Sequence, residues 1–326
     1  MYIRANYAWG GGLLGALGEN SNVNRSSPVL VVGNHSFIQV VGGMVSSVGL
    51  KADGSAWTWG SAAHGALGNN TITPDRSSPV LVVGNHSFIQ VVAGGTNTSG
   101  GVTSMFGLKA NGEVWGWGTN TVGQLGDDSA TNRSSPVLVV GVHSFLEVSI
   151  GKGTNSGGTG NAVARKADGS AWCWGFGSSG QMGDNTTTGK SSPVLVVGAH
   201  SFVQVSSGTQ HAHGLKADGN VWSWGNNGNA SIGDNSVTNR LSPVLVVGNH
   251  SFIRVVAGSL YCLALKGDGS CWAWGRNAVG QLGDNTITTK SSPVLVVGAH
   301  SFIQVSAGGN HSAGLKANGE IWTWGG

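Results

Sequence analysis

A strand-like tetrad ending in Trp-Gly returns with its second aromatic at positions 9, 59, 117, 174, 224, 274 and 324, giving spacings of 50, 58, 57, 50, 50 and 50 residues. A period this long and regular restricts the chain to a stack or ring of one supersecondary unit, which buries its faces only against copies of itself. The two long spacings have a visible cause in Gly/Ser/Thr/Asn insertions, "GGTNTSGG" at 94–101 and "GKGTNSGGTG" at 151–160. Between tetrads four pieces return in order: "SPVLVVG", "HSFIQV", a run into "LKADG", and "WxWG". The last contains all 13 tryptophans, six at its first position and seven at its third, with Tyr7 at the first position of the N-terminal copy.

Each piece is a short β-branched or aromatic run bounded by Gly, Pro, Asn or Asp, the signature of a strand of four to six residues. The Asp-Gly or Asn-Gly between the third and fourth pieces predicts a two-residue hairpin turn. "VLVV" is apolar on both parities, as suits a strand covered on both faces, and "WTW" sets two indoles on one face. Gly occupies 57 positions, charged residues only 10%, and nothing reads as a helix. The expected fold is therefore all-β: one domain over 1–326, a propeller of four-stranded antiparallel blades built from six repeats of about 50 residues. An extra N-terminal strand lies within about residues 1–10. Six blades are expected and seven are the alternative. A linear solenoid would need polar caps, whereas this chain starts and stops in mid-repeat, as a ring does when its ends pair.

"WGRNAVGQLGDNTITTKSSPVLVVG" followed by "AGGNHSAGLKANGEIWTWG" resembles the regulator of chromosome condensation repeat. The resemblance extends over essentially the whole chain and implies a propeller, in that family typically seven-bladed. It also implies a docking platform for chromatin, small GTPases or, in one branch, β-lactamases. A guanine nucleotide exchange activity like that of the founding member is a weaker implication, since no exchange residues of the family can be matched here and no basic N-terminal tail is present.

Antiparallel order places the long "GxLGDNTxTxR" loops and both Gly-rich insertions on one side, and the tight "GNHS" and "KADG" turns on the other. Long loops on a rigid scaffold are where binding residues concentrate. The regular chemical feature of that side is a cation before each "SSP" or "LSP": Arg25, Arg76, Arg133, Lys190, Arg240 and Lys290. With Thr96, Asn97, Thr154 and Asn155 of the insertions, these are the candidate binding residues. A ring of cations suits multivalent capture of anions; the competing reading is pairing with loop acids such as Asp75, Asp127 or Asp184.

Other candidates carry less. The loop acids Asp127, Asp128, Asp184, Asp234 and Asp284 lack the alternating spacing of a calcium loop and read as Asx turns. The histidines of "HSF" read as hydrogen-bonding a neighbouring backbone group. His211 and His213 form an H-x-H without an evident third ligand, so no metal is expected, and no cofactor. Cys173, Cys262 and Cys271 read as reduced thiols; a two-residue turn would set Cys271 opposite Lys266 and Cys262 opposite Gly275. No nucleophile elbow, carboxylate pair or phosphate loop is present, which argues against an enzyme.

The leading function is a noncatalytic binding scaffold presenting its loop-rich face to a protein partner, the insertions breaking the symmetry as a single asymmetric partner requires. The alternatives are multivalent binding of acidic or sulfated glycan or another polyanion, a structural component of a viral or cell-surface assembly, and nucleotide exchange. A net charge of +3 favours neither nucleic acid nor membrane. Lacking a signal-peptide pattern or an apolar span, the chain is expected in the cytoplasm at synthesis, with a virion or cell surface as the other location. The surplus N-terminal strand offers a route to oligomers, which deletion of residues 1–10 would abolish.

Overall fold

The structure is a computed structural model that describes residues 6–96, 102–153 and 160–326. It is a β-propeller. Two N-terminal strands, β1 (Tyr7–Gly10) and β2 (Arg25–Leu30), pair only with each other. The first blade follows as β3 (Phe37–Gly42), β4 (Ser46–Lys51), β5 (Ala56–Gly60) and β6 (Arg76–Leu81). The second comprises β7 (Phe88–Thr96), β8 (Val102–Lys109), β9 (Val114–Gly118) and β10 (Arg133–Leu138). The third is β11 (Phe145–Ile150), β13 (Asn161–Lys166), β14 (Ala171–Gly175) and β15 (Lys190–Leu195), with a short β12 (Lys152–Gly153) leaving it to join β7.

The fourth blade is β16 (Phe202–Ser207), β17 (His211–Lys216), β18 (Val221–Gly225) and β19 (Arg240–Leu245). The fifth is β20 (Phe252–Ala257), β21 (Tyr261–Lys266), β22 (Cys271–Gly275) and β23 (Lys290–Leu295). The sixth holds β24 (Phe302–Ala307), β25 (His311–Lys316) and β26 (Ile321–Gly325). Six blades are thus present, as expected from the repeat, five of them with four blade strands, but the blade is out of phase with the repeat. Each "SPVL" strand pairs across the long loop with the preceding "WxWG" strand, as in Trp222 opposite Leu245, rather than with the "HSF" strand that follows it. The sixth blade consequently carries three strands among the described residues.

The turn between the third and fourth pieces holds three residues, not two. Lys266 N–H bonds to Ser270 O and Gly269 N–H to Lys266 O, with Gly269 at φ +83°. A three-residue loop of this kind closes with a residue in the left-handed region, which glycine enters without a Cβ clash. The added residue shifts the register by one: Leu265 faces Cys271, and Cys262 faces Trp274. All three cysteines are free and buried; burial pushes the Cys271 thiol up to about 12.

Blades are joined by two repeated devices. The side-chain amide of Gln39 clamps the backbone of the next blade, donating to Val91 O and accepting from Val91 N, both at 3.0 Å. Gln204 does the same to Val255, again at 3.0 Å. The third-position indoles reach in the other direction. Trp117 donates to Ala66 O at 3.2 Å, Trp174 to Gln124 O at 3.0 Å and Trp274 to Ser231 O at 3.0 Å, each carbonyl in the long loop of the preceding blade. These indoles are fully buried, which is why glycine precedes the outer strand at Gly68: a Cβ there would stand 2.8 Å from the Trp117 ring. The tryptophans therefore serve packing between blades, each at the centre of an apolar cluster such as Phe106, Leu125, Val139 and Phe145 around Trp174.

The "HSF" histidines stack instead of hydrogen-bonding. His200 lies 4.4 Å from Trp222 and 5.2 Å from Phe202 between ring centroids, and Lys216 sits over the same indole at 4.8 Å. The buried Nδ1 atoms of His35, His143 and His200 have no partner. Each imidazole lies instead between two rings, His200 meeting Phe202 at 22° and Trp222 at 48°.

Candidate functional site

The connections from first to second strand and from third to fourth strand of each blade emerge on one side, and direct bonds tie them together. Ser61 N–H, at the start of a long loop, donates to Val45 O at 2.9 Å, and Thr119 N–H donates to Thr103 O at 3.0 Å. The two insertions also share this side and meet. β12 pairs in parallel with the end of β7, Lys152 opposite Gly95 and Gly153 opposite Thr96, and Gly95 N–H donates to Gly151 O at 3.0 Å. The backbone of Thr96 is thus placed at the junction of blades two and three. Asn97, Thr154 and Asn155 lie outside the described residues.

The long loops are pinned from within. In three of them a buried asparagine spans the loop: Asn120 donates to Asp127 Oδ1 at 2.7 Å, Asn227 to Asp234 Oδ1 at 3.1 Å and Asn277 to Asp284 Oδ1 at 2.9 Å. The same amide oxygens accept from Leu125, Ile232 and Leu282 N–H. Two of these carboxylates also form the expected Asx turns, Asp234 accepting from Ser236 N–H and Asp284 from Thr286 N–H, while Asp127 accepts from Ser129 Oγ.

Register places the six cations in equivalent positions, each opening an outer strand opposite the glycine of "WxWG": Arg25 with Gly10, Arg76 with Gly60, Arg133 with Gly118, Lys190 with Gly175, Arg240 with Gly225 and Lys290 with Gly275. Five are held by an acid six residues earlier. Arg25 pairs with Glu19 at 2.9 Å, Lys190 with Asp184 at 3.6 Å and Lys290 with Asp284 at 3.4 Å. Arg133 Nε donates to Asp127 Oδ2 at 2.7 Å and Arg240 Nε to Asp234 Oδ2 at 2.6 Å. Burial raises the Asp127 and Asp234 carboxyls, but bonds from Ser129 and Ser236 and from the two arginines outweigh it and hold both below the usual carboxylate range.

Arg76 differs. Asn69 stands where the other loops carry an acid, keeping the turn by accepting from Thr71 Oγ1 at 2.7 Å but contributing no charge. Asp75, beside it, turns its carboxylate to Ala62 N–H at 2.8 Å. The buried Nε of Arg76 has no hydrogen-bond partner, and no described carboxylate pairs with it. The sequence carried this signal as "GNNT" in place of "GDNT".

His211 and His213 are buried between blades rather than open to the loop face. His213 Nδ1 bonds Ser223 Oγ at 2.6 Å, and its ring meets Trp274 edge-on. Among the described residues no three His, Cys, Asp or Glu side chains come together as metal ligands, and no helix is long and apolar enough to cross a membrane.

The profile described as "Regulator of chromosome condensation (RCC1) repeat" matches residues 53–99, 111–155, 168–214, 218–265 and 268–315, and a second profile of the same description matches 202–230 and 252–281. Among curated relatives, the human E3 ubiquitin-protein ligase HERC2 is 29% identical over 201 residues, 59% of this chain and 4% of that protein. The ultraviolet-B receptor UVR8 of Arabidopsis thaliana is 26% identical over 192 residues, 58% of this chain and 41% of that one. The chain thus spans less than half the length of either. Among solved structures, human WBSCR16 superposes with a TM-score of 0.80 at 20% identity, covering 98% of this chain and 81% of that chain. Yeast RCC1 (Prp20), solved bound to Kap60, superposes with a TM-score of 0.79 at 21% identity, covering 98% and 78%.

Proposed function

This chain belongs to the regulator of chromosome condensation (RCC1) repeat family, and from that premise we propose that it is a noncatalytic scaffold whose loop-rich face docks a protein partner. The observation that carries the reading is the junction of the two insertions, where β12 crosses from the third blade to the second and breaks an otherwise repeated surface at one place. An asymmetric partner needs such a landmark; a repeating polymer does not. Yeast RCC1 (Prp20) supports the class of partner, having been solved with Kap60 and studied for its binding to Gsp1p and histones.

Five of the six ring cations carry their own counter-ion, which weighs against multivalent capture of a polyanion. In the docking reading the paired cations stiffen the loops, and Arg76, on the outer strand of the first blade beside the Leu13–Gly15 turn, offers the unspent charge to a carboxylate of the partner. Ligase activity is not carried over, because the likeness to the HERC ligases is confined to the propeller repeats.

The test is binding of a captured protein partner to three variants: Arg76→Ala and Gly95→Asp on the loop face, and Lys216→Ala on the turn face. The docking reading expects affinity to fall at least about tenfold for the first two and to hold for the third. Loss at Lys216 alone would move the site to the other face. A salt-sensitive hit on sulfated polysaccharide or duplex DNA, with no protein bound, would replace the reading with polyanion binding.

A further inference from the structure

We propose that the turn face of the propeller, opposite the long loops, is where this chain docks a second copy of itself, two rings meeting face to face. The face is marked by a β-bulge repeated at the start of each blade's first strand. In the second blade Phe88 pairs with Lys109 and Gln90 with Leu108, which leaves Ile89 out of the ladder. The other five blades show the same shift, as at Phe252 and Arg254 around Ile253. A bulge re-aims the side chain of its extra residue. Here it turns six aliphatic side chains out of the interior: Ile38, Ile89, Leu146, Val203, Ile253 and Ile303 are between 48% and 62% exposed. They stand beside the hairpin turns, as a Cβ at Gly267 would lie 3.9 Å from Ile253 Cγ2.

Local structure does not ask for apolar side chains at these places. Strand propensity favours threonine as well as isoleucine or valine, and water would solvate a hydroxyl at a half-exposed site. Leu146 lacks the β-branch and keeps the apolar character, so apolarity is the property that the six positions share. The connector on the same face holds no such property, drifting from Asn85 to Val142 to Ala199. A second ring stands outside the first: Leu81 and Leu195, which end outer strands on the turn side opposite Trp57 and Trp172, are 46% and 47% exposed. Aliphatic exposure repeated over one face goes beyond the single exposed residues normal for a surface and marks a contact surface.

Charge points to a second copy as the occupant. Every hairpin carries one lysine and one acid, Lys216 with Asp218 in the fourth blade and Lys109 with Glu113 in the second. Where Asn111 and Asn318 replace the turn aspartate, Glu113 and Glu320 stand two residues on and restore the acid. The six hairpins therefore sum to zero charge, and their lysines lie over the first-position indoles, Lys109 at 4.5 Å from Trp115 and Lys216 at 4.8 Å from Trp222. A neutral ring has no long-range pull on a polyanion or an anionic membrane. Alternating signs around a repeated ring are complementary to a two-fold-related copy of that ring, in which lysine meets acid and aliphatic meets aliphatic. Stacked this way, the two copies turn their loop faces outward and present the docking face proposed above twice.

Sedimentation of the unaltered chain over a concentration series should show a monomer–dimer equilibrium. The Ile89→Asp, Leu146→Asp double variant should weaken it at least about a hundredfold. Val237→Asp with Ile287→Asp sets the same charges on long loops of the opposite face and should leave it within about twofold. Val237 and Ile287 are 64% and 72% exposed, so the two pairs differ in face rather than in burial. Val203→Thr with Ile253→Thr, which keeps strand propensity and changes only polarity, should weaken association about tenfold and guards against misfolding of the aspartate pair, with circular dichroism as the check on fold. A chain that stays monomeric throughout, or a dimer that the loop-face pair dissociates and the turn-face pairs do not, overturns the proposal. Flotation of a monomeric chain with neutral phosphatidylcholine vesicles, abolished by the turn-face pairs, would assign the face to lipid and overturn it as well. None of these readouts involves the loop-face partner, so failure here leaves the docking reading standing.

Discussion

The fifth and sixth blades are nearly the same sentence written twice, yet their equivalent residues live in different surroundings. Trp274 is fully buried, whereas Trp324, making the same bond to a loop carbonyl at 3.0 Å, is only partly covered. Cys271 is buried and its counterpart Ile321 is not. Gln204 clamps the blade after it, while Gln304, at the same position of the sixth blade, is exposed. The lesson is that a repeat residue has no fixed energetic value: its contribution comes from the neighbouring blade and the outer strand.

The comparison is broken most severely at the indoles. Trp274→Ala should cost about 3–5 kcal/mol, since it empties the centre of a packed cluster and removes a bond to Ser231 O. Trp324→Ala should cost less than half of that. Denaturant unfolding of the two variants measures the difference, and equal losses would mean that the sixth blade is as fully packed as the fifth.

Acid should separate the interior from the end next. Burial lowers His211 to about 4 and holds His213 well below its ordinary value, so the folded chain keeps both neutral. The unfolded chain binds more protons below its ordinary value of about 6.5. Stability from His211 is therefore fully present above pH about 6.5 and is lost as the pH falls toward and through 4, roughly 3 kcal/mol in all. His311, the exposed equivalent, lacks this burial. Midpoints measured from pH 7 to pH 4 should fall less steeply in His211→Tyr, which copies Tyr261 of the next blade, than in His311→Tyr; identical slopes would remove His211 as the cause.

The smallest effect sharpens the contrast further. Gln204→Ala strands the buried Val255 N–H and C=O and should cost about 2 kcal/mol, whereas Gln304→Ala should stay within about 0.5 kcal/mol. Unfolding midpoints of the pair read it directly. A substantial loss at Gln304 would show that its blade does pack against the first one.

Much of this was legible in the sequence because it is local. Pro and Gly bound each strand, β-branched runs fill it, and an offset of 15 residues, 16 at Arg76, puts every ring cation opposite the same glycine. The insertions announced themselves as departures from a period of 50 residues. The hairpin turn was misjudged by one residue, because Asp-Gly serves two-residue and three-residue loops alike and only the backbone bonds tell them apart.

The repeat therefore determined that this chain is a propeller, where its strands lie, and which side carries its long loops and cations. Tertiary structure decided which "WxWG" strand each "SPVL" strand joins, that five ring cations are neutralised while no described carboxylate pairs with Arg76, that the "HSF" histidines pack between two rings, and that β2 pairs with β1. Those outcomes depend on contacts between residues one or more repeats apart, where identical sequences compete for the same partner and only the closing of each interface chooses between them.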